Sequence, residues 1–347
     1  MPNKYLTLIN KDAKCLAEKL DFNNFFDGFS ILITGVSGLV GINFLSYFAQ
    51  LQTMGIKVKI SGVVNLDSTS LIKDFASTDG INILKGDLTD TRFVNTIKKH
   101  DLIIHAAGFG QPGKFLANKI PTMQLNTTCT LSLFNLLNKD GIFLYISTSE
   151  IYSGNQNLPH KEEYIGTTDP YHPRASYIEA KRAGETICNV YRELGINAAS
   201  ARLSLAYGPG TKLDDQRVIN QFIQKAIKTK KISLQDMGEA LRTYCYISDA
   251  IEIMLNIIYK GKKSVYNVAG KSRTSIADLA KEIGRILQVP VEFPSNPIKK
   301  DDAPEDVSSS LQLIKKEFDK NIFIPLDVGL KNTIEWQKII YEENDKK

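Results

Sequence analysis

Long apolar runs, paired cysteines and a strong charge of one sign are all missing from this sequence of 347 residues. No apolar stretch approaches the roughly 20 residues that a membrane-spanning helix needs, and the N-terminal segment has no apolar core of a signal peptide. We therefore expect a cytoplasmic protein without a membrane partner. The net charge of +5 is spread along the chain, so a nucleic-acid partner is not expected either.

Cysteine and histidine are both scarce, with four residues of each. The cysteines are far apart in the sequence and show no CxxC or metal-type spacing: Cys15, Cys129, Cys188 and Cys245. We expect reduced, structural thiols and no metal site. His105 and His172 have neither metal-like nor triad spacing around them, which favours structural or rim roles.

A regular alternation of apolar strands and helical periods runs from residue 30 to about residue 201. Continuous apolar strands separated by helices indicate a parallel sheet covered on both faces. The fold class expected is therefore α/β, a Rossmann-type doubly wound parallel sheet with a smaller C-terminal substrate-binding lobe. The expected division is a helical extension (1–29), a dinucleotide-binding domain (30–206) and mainly the C-terminal lobe (207–347). One long helix is expected through 122–137 and another over 175–194.

The stretch "TGVSGLVG" follows the first strand directly and opens a helix. Its glycines, Gly35, Gly38 and Gly41, have the spacing GxxGxxG rather than GxGxxG. In this context glycine permits a tight turn and lets the backbone approach a pyrophosphate at the helix N-terminus. The alternative is a turn that only packs helix on strand. The dinucleotide hypothesis also includes Ser37, Leu39 and Val40.

The choice between NAD and NADP depends on the end of the second strand, where a carboxylate binds the ribose 2′-hydroxyl and a basic residue binds a 2′-phosphate. Asp67 is the candidate carboxylate, with Asn65 and Ser68 as other polar candidates, so NAD is favoured and NADP is not excluded. Further cofactor contacts are expected past later strands, although plain strand-end chemistry explains the same residues: Asp87, Leu88, Ala106, Ala107, Gly108 and Asn126.

Tyr177 and Lys181 lie four residues apart in "ASYIEAKRAGE" and share one face if the segment is helical. A phenol with a pKa near 10 is a poor base at neutral pH, and a neighbouring ammonium stabilises its phenolate. The same lysine is a candidate to hold the ribose of a nicotinamide. A YxxxK match alone is weak, but after a parallel-strand pattern and a phosphate turn it is a strong joint signal.

The glycine turn, "HAAG", the Ser/Thr pair ahead of YxxxK and "RLSLAYGPG" together resemble an extended short-chain dehydrogenase/reductase of the NAD-dependent nucleotide-sugar epimerase/dehydratase family, over residues 30–337. Within that family the stretches "STSEIY", "PRASYIEAKRAGET" and "GEALRTYCYISDAIE" are most similar to the UDP-glucuronate decarboxylase branch. The resemblance implies a nicotinamide cofactor that takes a hydride from C4 of the sugar and returns it after chemistry at a neighbouring carbon.

The same resemblance assigns roles to "TSE", residues 148–150. Tyr177 removes the proton of the 4-hydroxyl, Thr148 hydrogen-bonds that oxygen, and Glu150 acts as base or proton donor near C5. On an extended segment Thr148 and Glu150 point to one side and Ser149 points away, although Ser149 is still counted among the substrate contacts. The alternatives are a strand-end carboxylate that pairs with a nearby cation and a β-branched residue that ends a strand.

The sequence departs from the decarboxylase pattern in the C-terminal lobe. Asp302, Ala303 and Pro304 stand where an arginine for the sugar carboxylate is expected, although Lys299 or Lys300 is an imperfect substitute. Leu205 replaces an expected asparagine and Gly210 an expected basic residue. Arg217 and Arg242 remain the candidates for the diphosphate, since a guanidinium binds phosphate bidentately; either is alternatively a surface arginine.

The leading hypothesis is therefore an NAD(P)-dependent enzyme that converts a nucleotide-diphosphate sugar through a 4-keto intermediate, with C5 chemistry assisted by Glu150. The triplet permits dehydration, epimerisation or decarboxylation, and UDP-glucuronate decarboxylase is one alternative. A 4-dehydrogenase and a non-catalytic dinucleotide-binding protein are the others. Sugars of this kind commonly feed polysaccharide synthesis.

A homodimer is also implied by the resemblance, through a four-helix bundle built from helices near 122–138 and 175–194. Apolar residues on more than one face of these helices are compatible with it: Leu131, Leu133, Phe134, Ile187 and Val190. Burial inside the monomer explains the same pattern.

Overall fold

The computed structural model describes residues 4–65, 70–296 and 306–344. Its strands are β1 (Ser30–Thr34), β2 (Lys59–Val64), β3 (Ile81–Lys85), β4 (His100–His105), β5 (Leu137–Thr148), β6 (Asn197–Leu203), β7 (Leu205–Tyr207), β8 (Ile232–Ser233), β9 (Leu241–Tyr246), β10 (Val265–Val268), β11 (Ser272–Ser275), β12 (Val291–Glu292) and β13 (Asp306–Val307). Its helices are α1 (Lys4–Lys19), α2 (Leu39–Thr53), α3 (Ser70–Ala76), α4 (Thr91–Val94), α5 (Pro112–Ala117), α6 (Lys119–Asn126), α7 (Thr128–Phe134), α8 (Ala175–Glu193), α9 (Val218–Thr229), α10 (Ile247–Lys260), α11 (Ile276–Leu287), α12 (Gln312–Phe318) and α13 (Leu326–Asn344).

Seven parallel strands form the large sheet, in the order β10-β6-β5-β4-β1-β2-β3. Ile33 of β1, for example, pairs with Gly62 of β2 and Ile104 of β4. The strand order reverses between β1 and β4, and in such sheets ligands bind outside the carboxyl ends of the strands near that point. The Rossmann-type fold expected from the sequence is confirmed.

Each face of the large sheet is covered by its own apolar core. One core joins the sheet to α2 and α10 through residues such as Phe44, Phe48 and Ile253. The other joins it to α7 and α8, and it includes Leu133 and Cys188. Burial on both faces explains why β1 and β4 are continuous apolar runs. All four cysteines are unpaired, and three of them are buried.

The C-terminal part of the chain contributes to both lobes. A second sheet places β9 between β11 and β13, with β7 also paired to β9, and α9, α11 and α13 share a core beside it. The strand β10 and the helix α10 also follow residue 207, yet they belong to the large sheet and its covering layer. The boundary expected at 206 therefore does not divide the cores of the two lobes, because residues that follow it belong to the core of the large sheet as well as to the core of the second sheet.

The single helix expected through 122–137 is wrong. The chain forms α6 and α7 with a break at Thr127, whose backbone angles of −119° and −85° are not helical, and β5 already begins at Leu137. Beside the break, the hydroxyls of Thr127 and Thr128 donate to the carbonyls of Met123 and Gln124. Such bonds compete with the helical backbone pattern.

The N-terminal extension packs against the folded chain through α1, which contacts α2, α10 and α13. Specific polar contacts fix it there. Tyr246 donates to a carboxylate oxygen of Asp12 at 2.6 Å, and Lys19 forms an ion pair with Glu252 at 2.7 Å. Ile9 and Leu16 of α1 are buried in the core that covers α2. The extension is thus an integral layer on that face.

Candidate active site

The carboxyl ends of β1, β4 and β5 lie at one edge of the large sheet, because parallel neighbours end on the same side. The segments that leave these ends carry the glycine turn, Ala106–Gly108 and the triplet Thr148–Glu150. The sequence motifs that were separate along the chain are therefore brought to one edge.

The glycine turn is too tight for side chains. Gly35 has φ +67°, and a Cβ there would lie 2.7 Å from the Cα of Ala107. A Cβ on Gly41 would lie 2.6 Å from the Cα of Val36. Gly38 precedes α2 in extended conformation, so the first amides of that helix point out from the turn without an intrahelical partner. These features fit the pyrophosphate of a dinucleotide.

A buried polar chain joins the turn to the end of β4. The Thr34 hydroxyl and His105 Nδ1 are 2.8 Å apart, His105 Nε2 lies 2.9 Å from the Leu125 carbonyl, and the Ala107 amide donates to Thr34. Burial lowers the pKa of His105 to about 4. The ring is therefore neutral at pH 7, and its contacts agree with the structural role expected.

The other expected cofactor residues differ in their exposure to solvent. Asp87 is exposed and accepts a hydrogen bond from the Thr89 amide at 2.8 Å, while Leu88 beside it is buried. Asn126 is fully buried, and its side chain bonds Tyr145 and the Thr122 carbonyl. Asp67 lies outside the described residues, as do Ser68 and the segment 299–304.

A loop of the C-terminal part, residues 208–217, crosses the glycine turn. Asn43 of α2 donates to the Pro209 carbonyl at 3.0 Å, and Gly210 packs against Ile42 closely enough that a Cβ would lie 2.7 Å from its methyl. Lys212 reaches Ser37 of the turn at 3.5 Å. Sequence reasoning assigned no role to Lys212, although it stands two residues after the missing basic residue at 210.

The triplet does not continue the strand as expected. Thr148 ends β5, and Ser149–Tyr152 forms a short 3-10 helix whose first turn is capped by the Thr148 hydroxyl, which accepts from the Glu150 amide at 3.2 Å. Thr148 and Glu150 therefore do not share one side of an extended segment as expected, because the segment is a turn. The cap nevertheless keeps the two residues in contact.

Tyr177 lies in the first turn of α8 with its ring buried against Phe115. The two rings are stacked with their centroids 4.3 Å apart. The Tyr177 hydroxyl hydrogen-bonds Thr148, and burial raises the pKa of Tyr177 to about 12 while that hydrogen bond opposes the rise. In this state the phenol keeps its proton at neutral pH. Nothing in the sequence pattern indicated Phe115.

Lys181 is buried one helical turn further along α8. Its ammonium donates to the Ile146 carbonyl at 2.7 Å and lies 4.9 Å from the centre of the Tyr145 ring. Burial lowers its pKa to about 7, with the charge of Glu185 opposing the shift. A Cβ on Gly108 would lie 3.9 Å from the ammonium, so Lys181 sits where α8 meets the segment after β4.

Glu150 is paired with Arg174, the residue just before α8. Arg174 Nη2 lies 2.8 Å from Glu150 Oε1, and both side chains are about one-third exposed. Burial raises the pKa of Glu150, and the charges of Arg174, His172 and Arg242 oppose the rise. The alternative expectation of a strand-end carboxylate beside a cation is thus met. Arg174 was missed, although it stands three residues before Tyr177.

Arg217 and Arg242, the two expected diphosphate contacts, lie on the side of the site formed by the C-terminal part. Arg217 precedes α9 and forms an ion pair with the buried carboxylate of Asp215. Its charge acts on Tyr177. Arg242 of β9 donates to the Leu241 carbonyl, and its charge acts on Glu150. Both guanidinium groups therefore lie near enough for their charge to act on a catalytic candidate.

A buried polar network supports the turn that carries Glu150. Glu185 accepts hydrogen bonds from Ser147 and Arg202, and Arg202 also donates to the Tyr152 hydroxyl at 2.8 Å. Tyr152 in turn donates to Asn267 of β10 at 2.7 Å. These bonds join β5, β6, α8 and β10 directly beneath the candidate site, which holds the turn rigidly.

A family model for the "NAD dependent epimerase/dehydratase family" matches residues 31–269. The chain is 27% identical over 308 residues to UDP-glucuronic acid decarboxylase 1 of Xenopus tropicalis, covering 88% of this chain and 71% of that protein. An epimerase from Methanothermobacter thermautotrophicus superposes with a TM-score of 0.79 at 20% identity, over 100% of this chain and 99% of that one. A dTDP-glucose 4,6-dehydratase from Bacillus anthracis, solved in complex with NAD, gives 0.72 at 20% identity over 92% and 98%.

The parallel sheet, the glycine turn and the Tyr/Lys pair of α8 define an extended short-chain dehydrogenase/reductase. The chain belongs to the NAD dependent epimerase/dehydratase family, whose model matches more than half of it. The family expected from the sequence is confirmed, and so is its fold class. The family is NAD dependent, which agrees with the dinucleotide site that the glycine turn indicated.

Proposed function

We propose that this protein is an NAD-dependent enzyme that converts a nucleotide-diphosphate sugar through a transient 4-keto form, with chemistry at C5 assisted by Glu150. The observation that carries the proposal is the contact set of Thr148, which hydrogen-bonds Tyr177 and caps the turn of Glu150. A proton-transfer group for one carbon and a carboxylate for its neighbour thus meet at one threonine. Such positioning is how active sites lower the cost of reaction.

The glycine turn and Lys181 hold the cofactor in this proposal, and the bound nicotinamide supplies a hydride acceptor for C4 of the sugar. Tyr177 takes the proton of the 4-hydroxyl, and Thr148 hydrogen-bonds the same oxygen. The raised pKa of Tyr177 means that its phenolate forms only when a further positive charge stabilises it. Lys181, with a pKa near 7, exchanges protons readily at neutral pH.

Glu150 acts beside C5, where a neighbouring ketone acidifies the carbon-bound proton. Its carboxylate form accepts that proton, and its acid form returns a proton to the same carbon or to a leaving group. Ser149 begins the same turn and remains a proposed substrate contact. Arg217 and Arg242 neutralise the diphosphate of the nucleotide from the C-terminal side.

Decarboxylation of a uronate is the second candidate, because two relatives that match 88% and 76% of this chain are named UDP-glucuronic acid decarboxylases. Loss of carbon dioxide from C5 needs the same 4-ketone but no proton abstraction from carbon. The two reactions therefore share Tyr177 and Thr148 and differ in what leaves C5. A 4-dehydrogenase would release the ketone, and a non-catalytic binder would convert no sugar.

The experiment that tests the proposal is mass spectrometry of the products formed in D2O, with NAD and separately with NADP. The substrates are UDP-glucuronate and a panel of nucleotide-diphosphate hexoses. We expect a hexose to lose water or to take up one deuterium from the solvent. Loss of carbon dioxide from the uronate identifies the second candidate. Bound cofactor without conversion of any sugar contradicts both.

A homodimer is part of the proposal, because α6, α7 and α8 leave apolar side chains exposed. Ile120 is 72% exposed and Val190 49%, and Met123 and Leu131 are also exposed. Leu133 and Phe134, expected in the same interface, are buried in the monomer core instead. The helices α6 and α8 are neighbours, so a second copy of this pair would complete a four-helix bundle.

The dimer is tested by sedimentation of an Ile120→Glu, Val190→Glu double variant at micromolar concentration. We expect a dimer for the unchanged chain and a monomer for the variant, because two carboxylates cannot be buried unpaired. Ile322→Glu is the matched control, since Ile322 is 79% exposed and lies outside α6, α7 and α8. An unchanged chain that sediments as a monomer contradicts the dimer.

Across residues 4–65, 70–296 and 306–344, no helix is long and apolar enough to cross a membrane. The cytoplasmic location expected from the sequence stays a prediction. The division into an extension, a dinucleotide-binding domain and a substrate lobe is likewise proposed. In this division β10 and α10 belong with the large sheet, although they follow residue 206 in the sequence.

A further inference from the structure

We infer that Arg174 is a positioning residue that holds Glu150 in its carboxylate form and fixes its direction from the side of α8. This inference rests on the proposed role of Glu150 at C5. The ion pair is direct, with 2.8 Å between Nη2 and Oε1. Arg174 immediately precedes α8, the helix of Tyr177 and Lys181, so one short segment carries the proton-transfer pair and the partner of the carboxylate.

The guanidinium of Arg174 also touches the tyrosine side of the site. Its Cζ lies 5.5 Å from the centre of the Phe115 ring, the ring that stacks on Tyr177. Its Nε is buried and has no hydrogen-bond partner among the described residues. Arg174 thus bridges Phe115 and Glu150, which defines the position of the carboxylate relative to Tyr177.

Other titratable groups lie near Glu150 but do not bond it. His172 lies in the turn before α8 and accepts the amide of Arg174 through Nδ1 at 3.2 Å. Arg242 comes from β9, and Tyr177 adds a phenol from α8. Burial opposes the charge of Glu150, and Arg174 is the cation that offsets this through both its charge and its hydrogen bond. Without Arg174 the carboxyl would hold its proton to a higher pH.

The turn that carries Glu150 does not need Arg174 to fold. Arg182, two helical turns further along α8, donates to the Ile151 carbonyl through Nη2 at 2.6 Å. Arg202 holds Tyr152 of the same turn at 2.8 Å. Because Arg182 already holds the backbone of this turn and Arg202 holds a side chain of it, the pair of Arg174 and Glu150 adds ionisation and direction rather than support. If Arg174 only supported the fold of this turn, it would repeat what Arg182 and Arg202 already do.

The first test needs no substrate. Protein labelled with carbon-13 at the glutamate carboxyl is titrated by NMR, and the Glu150 signal is assigned by its loss in Glu150→Gln. We expect Arg174→Gln to move the titration midpoint of Glu150 up by about one pH unit or more, a tenfold change in its protonation ratio. Arg174→Lys should restore part of the shift. An unchanged midpoint in Arg174→Gln overturns the inference.

The matched control is Arg285→Gln, which removes an arginine from an exposed ion pair with Glu282 on α11. It should leave the Glu150 midpoint where it was. Circular dichroism confirms that each variant is folded. Since this test reports on Glu150 itself, it decides the role of Arg174 even if every sugar tried fails to react, which would count against the proposed function alone.

The second test uses a sugar that the enzyme converts and follows uptake of deuterium at C5 against pH. In Arg174→Gln the acid limb of the profile should move to higher pH while activity on the alkaline side is largely kept, because Glu150 then ionises there without help. Arg174→Lys should lie between the two. An equal loss at every pH, without movement of the limb, would indicate a structural role and overturn the inference.

Discussion

In the proposed mechanism the hydroxyl of Tyr177 ionises in a place that disfavours ionisation. Its ring is buried under Phe115, and its pKa rises to about 12 rather than falling. Thr148 is the hydrogen-bond partner that works in the other direction, and the charges of Arg174 and Arg217 assist it. The phenol therefore keeps its proton at neutral pH, and the proposed mechanism needs further positive charge from the bound cofactor before Tyr177 can take a proton.

Tyr177→Phe removes this hydroxyl and keeps the ring that stacks on Phe115. We expect turnover to fall by a factor of about 100 to 10,000, the usual contribution of general acid–base catalysis, while the Tm and the affinity for NAD change little. Steady-state rates and calorimetric titration with NAD measure the two effects. Tyr259→Phe is the control, because Tyr259 stacks on Phe22 far along the chain from the triplet. Near-normal turnover in Tyr177→Phe would remove Tyr177 from the mechanism.

Short spacings explain which site residues the sequence could predict. Tyr177 and Lys181 are related by one helical turn, and the triplet follows a recognisable strand, so local pattern was enough to propose these residues. Phe115 and Lys212 reach the site from segments distant in sequence, and no local rule predicts such an approach. Arg174 was within reach in principle, since it lies next to the helix that was identified, but only the fold shows that it turns toward Glu150.

At the scale of elements, the loop 208–217 fastens the C-terminal part to the glycine turn. Trp336 donates to the Thr211 carbonyl at 2.8 Å, and Lys114 of α5 pairs with Asp214 at 2.7 Å. Between these anchors Lys212 points at Ser37. A cation held at the N-terminus of α2 adds to the attraction that the helix itself has for a pyrophosphate.

Lys212→Ala should therefore weaken binding of NAD. A charge-assisted hydrogen bond is worth about 1.5 kcal/mol or more, which corresponds to about a tenfold higher Kd. Titration calorimetry at two salt concentrations measures the loss, and the salt dependence of binding should decrease with it. Lys231→Ala is the control, because Lys231 pairs with Glu292 at the β8 end of the C-terminal lobe. Equal affinities would show that Lys212 does not face the cofactor.

The helix α1 carries a pH-dependent contact. Burial raises the pKa of Asp12 to about 6, although the hydrogen bond from Tyr246 and the charge of Lys11 oppose the rise. A carboxyl whose pKa is higher in the folded state contributes stability below its unfolded pKa and loses it as pH rises through 6. Near pH 7.5 the folded chain therefore bears the cost of a buried charge.

Asp12→Asn should raise the Tm at pH 7.5 by about 2 °C or more, since the amide oxygen still accepts from Tyr246 without carrying charge. The gain should shrink as the pH is lowered toward 5, where Asp12 in the unchanged chain is mostly protonated. Differential scanning calorimetry at the two pH values checks this. A lower Tm for the variant at both pH values would mean that the carboxylate itself is needed to hold α1.

Element boundaries were the least predictable part of the fold. The alternation of apolar strands and helices identified the parallel sheet, because strands buried on both faces must be continuous apolar runs. The break between α6 and α7 was not anticipated, because residues 122–137 contain no glycine or proline that would mark the end of a helix. The 3-10 turn after β5 was also missed, because Thr148 both ends the strand and caps the turn by accepting from the Glu150 amide.

At the scale of the whole molecule, the two lobes are tied by chain that passes between the two sheets at least three times, from β6 to β7, from β9 to β10 and from β10 to β11. β6 ends at Leu203 and β7 begins at Leu205 in the other sheet, and β10 then returns to pair with β6. Asn267 of β10 accepts from Tyr152 and donates to the carbonyls of His160 and Ser310. The network beneath Glu150 therefore depends on residues from both sides of the expected boundary at 206.

A fragment that ends at residue 206 should consequently fail to fold cooperatively. It lacks α10, whose Ile251, Met254 and Leu255 are buried in the core that also contains α2, and it lacks β10 at the edge of the sheet. In the fragment, a large apolar area that the full chain buries is exposed to water, and the stabilisation from its burial is lost. Thermal unfolding followed by near-ultraviolet circular dichroism should show a sharp transition for the full chain and none for the fragment. A cooperative transition in the fragment would mean that residues 1–206 form an independent domain, and that the return of β10 adds stability without being required for folding.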